Sequence, residues 1–127
     1  MLRPMEPHVR RALTRSGISD LTTTGRRSGL ARRIELVYHV IDGRIYISGM
    51  PRHRKRAWLL NLETDPRCTF HLKGAIAADL PAVARPIDDD AERRRILDHV
   101  ARAWRRTDVE AMVAYSPLIE VTVEGLP

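Results

Sequence analysis

The sequence is poor in cysteine: Cys68 is its single thiol, so no disulfide can form within the chain. Aromatic residues make up only 5% of the chain, and phenylalanine occurs once. No apolar run approaches the roughly 20 residues that a membrane-spanning helix needs, and the residues after Met1 do not form an apolar signal segment. These absences argue against an exported, disulfide-stapled domain and against a membrane-spanning one, so we expect a cytoplasmic protein.

Several common catalytic motifs are missing as well. There is no G-x-S-x-G nucleophile elbow, no phosphate-binding P-loop and no dinucleotide-binding glycine pattern. His39, His53, His71 and His99 lie in different predicted elements, and no pair of them has the spacing of a zinc site. We therefore predict no metal site and no classical hydrolytic triad.

The length of 127 residues is enough for one domain, which we expect to span the whole chain, residues 1–127. The formal charge of +6 is unevenly distributed. Residues 1–33 hold eight arginines and only two acidic residues, so the remainder of the chain is balanced. A localised positive surface indicates an anionic partner, and composition alone leaves open a phosphate, a polycarboxylate, nucleic acid or an acidic membrane.

The periodicity of apolar residues predicts an α+β fold. Strands follow one another without regularly alternating helices, and Asp42-Gly43 is a strong hairpin signal. A closed or nearly closed antiparallel barrel with helices packed outside it satisfies this order. The predicted elements are a basic helix or arm in 1–15, strands at 18–24, 32–41 and 44–48, a helix at 56–64, a strand at 68–73, an extended segment at 75–87, a packing helix at 88–104, a helical turn at 109–114 and a last strand at 119–124.

The helix at 88–104 carries its own start signal. Asp89 and Glu92 have the spacing of a capping box, in which each side chain bonds to the other residue's backbone N–H. Arg94, Asp98 and Arg102 are spaced for ion pairs along one exposed face.

The first candidate binding segment is the turn after the first strand. Its residues combine glycines that let the backbone approach a ligand, hydroxyls, and guanidinium groups that bind phosphate oxygens in pairs. A solvated hairpin loop is the alternative. The candidates are Thr24, Gly25, Arg26, Arg27, Ser28 and Arg32.

The second candidate segment runs from Pro51 to Arg56 and is almost continuously basic. It precedes a predicted helix start, which itself favours an anion, although a solvated loop is the commoner explanation for such a run. Tyr115 lies at an irregular junction before Ser116-Pro117, where its phenol could reach a pocket or simply pack.

The chain resembles the deazaflavin-dependent nitroreductase family, also called the quinone reductase family. The resemblance is carried by Thr23-Thr24-Gly25-Arg26-Arg27-Ser28-Gly29 with Arg32, by the Asp42-Gly43 hairpin, by Trp58-Leu59-Leu60-Asn61-Leu62 before Asp65-Pro66, and by the strand from Cys68 to Lys73. It implies a split β-barrel like that of flavin mononucleotide-binding reductases. It also implies coenzyme F-420, a deazaflavin with a phosphate and a polyglutamate tail.

By this resemblance the turn would hold the phosphate and the tail through Arg26, Arg27, Ser28 and Arg32, with Trp58 and Asn61 beside the cofactor. The chain departs from the family in its shorter loop at 49–55, where arginines replace an expected Lys-Gly-Gly. Arg52 or Arg54 would then bind phosphate in place of the lysine. It also has Ile34-Glu35 where many members have Asn-Pro.

The resulting expectation is an oxidoreductase that transfers hydride from the reduced deazaflavin to a quinone, a nitroaromatic or an activated alkene, with Tyr115 or bound water as the candidate proton donor. The alternatives are the same barrel holding flavin mononucleotide or haem, and a non-catalytic polyanion-binding module. Nucleic acid is not expected, because the basic runs lack interleaved aromatic residues. Weak contact of the basic arm with an acidic membrane surface is a further expectation, and a monomer and a homodimer are both left open.

Overall fold

A computed structural model describes residues 5–126 of the chain. Most predicted elements are present close to their expected bounds; α1 and β5 are shorter than predicted, and residues 1–4 of the predicted arm lie outside the described residues. Within the described residues the elements are α1 (Pro7–Ala12), β1 (Gly17–Thr24), β2 (Ala31–Ile41), β3 (Arg44–Ser48), α2 (Ala57–Thr64), β4 (Arg67–Leu72), β5 (Ala78–Pro86), α3 (Asp90–Ala103), α4 (Val109–Tyr115) and β6 (Leu118–Val123).

The six strands form a closed antiparallel barrel in the order β1-β2-β3-β6-β5-β4, with β4 pairing back onto β1. The prediction of an antiparallel barrel is therefore confirmed. The β2–β3 hairpin turns at Asp42 and Gly43, whose φ angles of 52° and 75° are both positive. Two positive φ angles are what a tight turn needs to match the twist of its strands, which explains the Asp-Gly sequence.

Two apolar clusters hold the barrel and its helices together. Inward-facing residues of the strands fill the barrel, where Tyr38 and Phe70 pack edge to face with ring centroids 5.1 Å apart. The second cluster lies outside β2, β3 and β6, where α3 and α4 cover the fully buried Tyr46. No helix among the described residues is long and apolar enough to cross a membrane.

The start of α3 agrees with the sequence in part. The Asp89 side chain accepts a hydrogen bond from the backbone N–H of Glu92 at 2.9 Å, as predicted. The Glu92 carboxylate does not return the bond, because it binds the guanidinium of Arg85. Arg102 pairs with Asp98 as expected, whereas Arg94 pairs with Glu110 of α4.

The β1–β2 ribbon extends beyond the closed part of the barrel. Within β2, only the last four residues, Tyr38 to Ile41, pair with β3 in the described chain. Residues 31–37 pair with β1 alone. Helix α2 packs against β1 and β5. The inward side of the ribbon and the first turn of α2 therefore face each other, and this opening positions the site.

Candidate functional site

A cleft of about 620 Å³ lies between the β1–β2 turn, the first half of β2 and the start of α2. Most of the residues expected to bind a cofactor line it. The lining residues are Thr23, Gly25, Arg26, Arg27, Ser28, Arg32, Ile34, Glu35, Leu36, Arg52, Arg56, Ala57, Trp58 and Asn61.

The turn at one end of the cleft is tightly bonded to itself. The N–H of Gly25 donates to the carbonyl of Leu30 at 2.8 Å, and the N–H of Gly29 donates to the carbonyl of Gly25 at 2.8 Å. The Ser28 hydroxyl accepts from the N–H of Leu30 at 3.1 Å. A Cβ on Gly25 would lie 2.6 Å from this hydroxyl, whereas Gly29 has open space but a φ of +71°. One glycine is required for space and the other for conformation.

Asn61 ties this turn to α2. Its carboxamide oxygen accepts from the backbone N–H of Arg26 at 3.0 Å, and its amide nitrogen donates to the hydroxyl of Thr23 at 3.1 Å. Asn61 is 5% exposed, so the bond to Thr23 is buried and the bond from Arg26 is partly buried. Asn61 lines the cleft as expected, and its polar groups bind the protein, which makes it a positioning residue for the turn.

The cleft is strongly cationic. Within residues 5–126, five of its guanidinium groups have no carboxylate within 4.0 Å: those of Arg26, Arg27, Arg32, Arg52 and Arg56. Partial burial, followed by the nearby charge of Arg52, lowers the pKa of Arg56. The one lining carboxylate, Glu35, is engaged by Lys73. Unpaired cations held close together favour an anionic ligand.

Part of the cleft lining is apolar. It is formed by Ile34 and Leu36 of β2 and by Ala57 and Trp58 of α2. The Trp58 side chain is only 7% exposed, so its ring is fixed by packing. An apolar, partly aromatic wall beside a cluster of guanidinium groups fits a flat ring system that carries phosphate or carboxylate groups.

A second cavity of about 320 Å³ adjoins the cleft, because Arg52 and Arg56 line both spaces. It contains Arg54 and Tyr115. The Tyr115 ring is 4.2 Å from the ring of His53, centroid to centroid, and the side chain is 46% exposed. The carbonyl of Tyr115 accepts from the N–H of Arg52 at 3.1 Å, which joins the basic loop to the end of α4.

Arg93 fixes the wall of this second cavity and was not singled out by the sequence. Its guanidinium donates to four backbone carbonyls, and burial lowers its pKa. The acceptors are backbone carbonyls at the end of α4 and near β5 and β6. No pattern of side chains in the sequence could therefore predict the interaction. The acceptors are Ile87 at 2.9 Å, Met112 at 3.3 Å, Val113 at 2.9 Å and Ser116 at 2.6 Å.

The predicted site residues therefore divide between two adjacent spaces. Arg52 lines both, Arg54 and Tyr115 line the second cavity, and Thr24 lines neither. Successive strand residues point to opposite faces, so Thr23 takes the place expected of Thr24. No cluster of metal-binding side chains occurs in the part of the chain that the structure describes. The remaining candidates line the cleft: Gly25, Arg26, Arg27, Ser28, Arg32, Trp58 and Asn61.

A six-stranded antiparallel barrel with a cationic cleft against an aromatic wall defines a split-barrel protein of the flavin-binding type. The model of the F420H(2)-dependent quinone reductase family matches residues 1–125, so the chain belongs to that family. It is therefore a deazaflavin-dependent oxidoreductase, and its cofactor is coenzyme F-420, to which the charge and the walls of the cleft are suited. Flavin mononucleotide, haem and the non-catalytic polyanion-binding module are thereby set aside.

Solved structures support the fold. The conserved hypothetical protein Rv2991 from Mycobacterium tuberculosis is similar with a TM-score of 0.73 and 21% identity over 97% of this chain and 82% of that chain. A putative pyridoxamine 5'-phosphate oxidase from Listeria innocua has a TM-score of 0.65 and 10% identity, covering 92% of this chain and 91% of its own. An F420-H2 dependent reductase, FDR-A, has a TM-score of 0.60 and 17% identity, covering 96% and 100%. No curated protein matches the sequence.

Proposed function

We propose that this enzyme reduces a small quinone, nitroaromatic or activated alkene, with reduced coenzyme F-420 bound in the cleft. The observation that carries the proposal is the cluster of unpaired guanidinium groups beside an apolar wall. The cluster suits a phosphate and a polyglutamate tail, and the wall suits a ring system. The turn and the wall are joined by Asn61, so both parts are held in one arrangement.

In this proposal, Arg26, Arg27 and Arg32 bind the anionic groups, because each lines the cleft and is free of a carboxylate partner among the described residues. Charge-assisted hydrogen bonds from guanidinium groups are the strongest that a side chain makes to phosphate. The Ser28 hydroxyl, at the rim of the turn, can donate to a phosphate oxygen while it accepts from Leu30.

The bound deazaflavin supplies a hydride, and the protein positions it against the acceptor and limits access of water. Reduction of a quinone to a hydroquinone takes up that hydride and one proton for each acceptor molecule, so that each quinone oxygen ends as a hydroxyl. We assign this one proton to the phenol of Tyr115, which lines the adjacent cavity. Its partial exposure allows water to return the proton to the phenolate.

The proposal is tested by fluorescence titration of the purified protein with oxidised coenzyme F-420, with flavin mononucleotide as the parallel control. We expect saturable binding of the deazaflavin in the micromolar range or tighter, and weaker binding of the flavin. Anaerobic mixing of the reduced complex with 2-methyl-1,4-naphthoquinone should then restore the absorbance of the oxidised cofactor. Absence of deazaflavin binding would overturn the proposal.

The role of Tyr115 is tested separately with Tyr115→Phe. If the phenol donates the proton, the rate of quinone reduction falls roughly tenfold to a hundredfold, at the lower end of general acid catalysis. The dissociation constant for coenzyme F-420 should stay the same, because Tyr115 does not line the cleft. An unchanged rate would leave solvent as the proton source.

A further inference from the structure

The second cavity has its own charge pattern. The charges on its loop side come from Arg52, Arg54 and Arg56, none of which has a carboxylate partner in the described chain, and from Lys55, which is bound by Glu63 at 2.8 Å. The carboxylates of Asp88 and Asp90 also line it. They act on Arg93, whose guanidinium already binds four carbonyls. The loop side of the cavity therefore stays positive after its ion pairs are counted.

Part of the remaining lining is apolar. The buried aliphatic side chains of Leu59, Ile87, Val113 and Leu118 line the cavity, and the half-exposed Tyr115 adds an aromatic ring. The volume of about 320 Å³ is near the lower limit for a small-molecule site. The space suits one or two fused rings better than a ring with a long aliphatic chain.

We propose that this cavity is the acceptor subsite and that Arg54 selects acceptors that carry a carboxylate on a one- or two-ring system. This inference rests on the proposed function, because it places the acceptor next to the cleft assigned to the cofactor. A carboxylate on the acceptor meets the cationic loop, while the ring lies against the aliphatic wall and Tyr115. The preferred substrate is then a small aromatic acid with a reducible ring, and a neutral lipid-like quinone is a poorer one.

Arg54 is the cationic residue that distinguishes the second cavity from the cleft. Arg52 and Arg56 line both, so an anion in the cleft already meets their charges. Arg54 lines the second cavity alone, is exposed, and makes no hydrogen bond or ion pair with the rest of the described chain. Its charge is available to the acceptor, and its replacement should leave the fold intact.

The first experiment compares two acceptors that differ only in charge: a 1,4-naphthoquinone bearing a propionate side chain, and its methyl ester. Two methylene groups insulate the ring from the charge, so the two quinones have similar redox potentials. The wild-type enzyme should prefer the acid in kcat/KM by roughly three- to fivefold, the size of one partly exposed charge pair. Arg54→Gln should bring the ratio of acid to ester close to one, and Arg54→Glu should invert it.

Arg15→Gln is the matched control, because Arg15 is exposed, has no ion-pair partner in the described chain and lines neither cavity. It changes the net charge by the same amount and should keep the wild-type preference. An equal preference for acid and ester in the wild-type enzyme would overturn the inference, and so would a wild-type ratio in Arg54→Gln.

A binding measurement without cofactor distinguishes this inference from the proposed function. Calorimetric titration of the protein with 3-(2-naphthyl)propionate should show binding that Arg54→Gln weakens about fivefold. The neutral methylamide of this acid should bind the wild-type protein no more tightly than it binds Arg54→Gln. If this holds while coenzyme F-420 fails to bind, the anion subsite stands and the proposed function falls. If Arg54→Gln instead weakens coenzyme F-420 as strongly as Arg27→Gln does, the cavity holds the cofactor tail and the inference is wrong.

Discussion

Arginine serves two different purposes on two sides of this molecule. On the outer side of the barrel, Arg85 bridges Glu92 at 2.7 Å and Glu120 at 2.9 Å, linking β5, α3 and β6. In the cleft, Arg27 and Arg32 have no carboxylate within 4.0 Å among the described residues, and the lining Glu35 is paired with Lys73. An arginine cross-links secondary-structure elements where carboxylates lie beside it, and it is available to bind a ligand where none does.

The paired and the unpaired arginines also differ in their effect on the stability of the folded protein. A paired surface arginine gains a little stability from its partner, whereas unpaired arginines held together repel one another and lower the stability of the empty protein. Binding of a polyanion removes that repulsion and therefore stabilises the folded state through linkage. We expect the melting temperature to rise with added coenzyme F-420, and to rise more at low ionic strength, where the guanidinium charges are least screened.

The largest effect should come from removing two charges from the cleft. In the double variant Arg27→Gln with Arg32→Gln, the dissociation constant for coenzyme F-420 should rise about a hundredfold, since each charge-assisted bond contributes about 1.5 kcal/mol or more. The melting temperature of the unliganded protein should stay the same or rise slightly. Fluorescence titration and thermal unfolding give the two readings.

The matched control for that variant is Arg94→Gln, because Arg94 is paired with Glu110 at 2.6 Å and lies outside the cleft. It should keep the affinity for the deazaflavin. Equal affinities in the double variant and the wild type would show that the turn does not bind the phosphate and tail.

A smaller effect should follow from Asn61→Leu. This change leaves the N–H of Arg26 without its acceptor and the turn without its anchor on α2. We expect a loss of about 2 kcal/mol in the free energy of unfolding, because a buried polar group is left unsatisfied. Affinity for coenzyme F-420 should fall about tenfold, as measured by titration of the folded variant.

Asn61→Asp separates anchoring from charge. A carboxylate can still accept from Arg26, and the Thr23 hydroxyl can donate to it in place of accepting. The aspartate variant should therefore be more stable than the leucine variant. A melting temperature as low as that of Asn61→Leu would contradict the anchoring role.

The fold was predictable because local patterns agree with each other. The Asp42-Gly43 turn and the run of apolar-periodic strands without alternating helices pointed to an antiparallel barrel, and the structure confirms it. The bounds of α1 and β5 were less well predicted, since helix ends and strand ends depend on tertiary contacts.

The site was predictable only as a set of segments. The sequence indicated the turn, the basic loop and α2, but it could not show that Arg54 and Tyr115 line a different space from Arg27. It also missed Arg93, whose partners are backbone carbonyls, and it could not reveal that Glu92 serves Arg85. These pairings depend on how strands and helices that are distant in sequence come together.

The geometry of the turn can be tested at its two glycines, with an expected effect near 1 kcal/mol. Gly25→Ala places a Cβ 2.6 Å from the Ser28 hydroxyl and 3.2 Å from the Leu30 carbonyl. The turn must shift, so affinity for the deazaflavin should fall about fivefold. In thermal unfolding without cofactor, which does not involve the proposed phosphate bond of Ser28, adding Ser28→Ala should recover part of the stability lost in Gly25→Ala and none of that lost in Gly29→Ala, where the strain comes from a positive φ. Recovery in both glycine variants would show that the loss in Gly25→Ala does not come from a steric clash with the Ser28 hydroxyl.

The smallest effect is expected on the paired side of the molecule, from Arg85→Gln. The hydrogen bond from Arg85 lowers the pKa of Glu92 below its ordinary value of 4.5. A lowered carboxylate pKa stabilises the folded state above that ordinary value, and the contribution disappears as the pH falls through the lower, folded value. Because Arg85 is half-exposed and Glu92 keeps some contact with water, solvent screens the pair, and the difference in unfolding free energy at pH 7 should be below about 1 kcal/mol. The gap in melting temperature between the wild type and the variant should therefore narrow below about pH 4.5 and at high salt, with no change in deazaflavin affinity at any pH.

A gap in melting temperature that persists at pH 3 would mean that Arg85 stabilises the barrel by packing its aliphatic stem. The two sides of the molecule would then differ in more than their carboxylates.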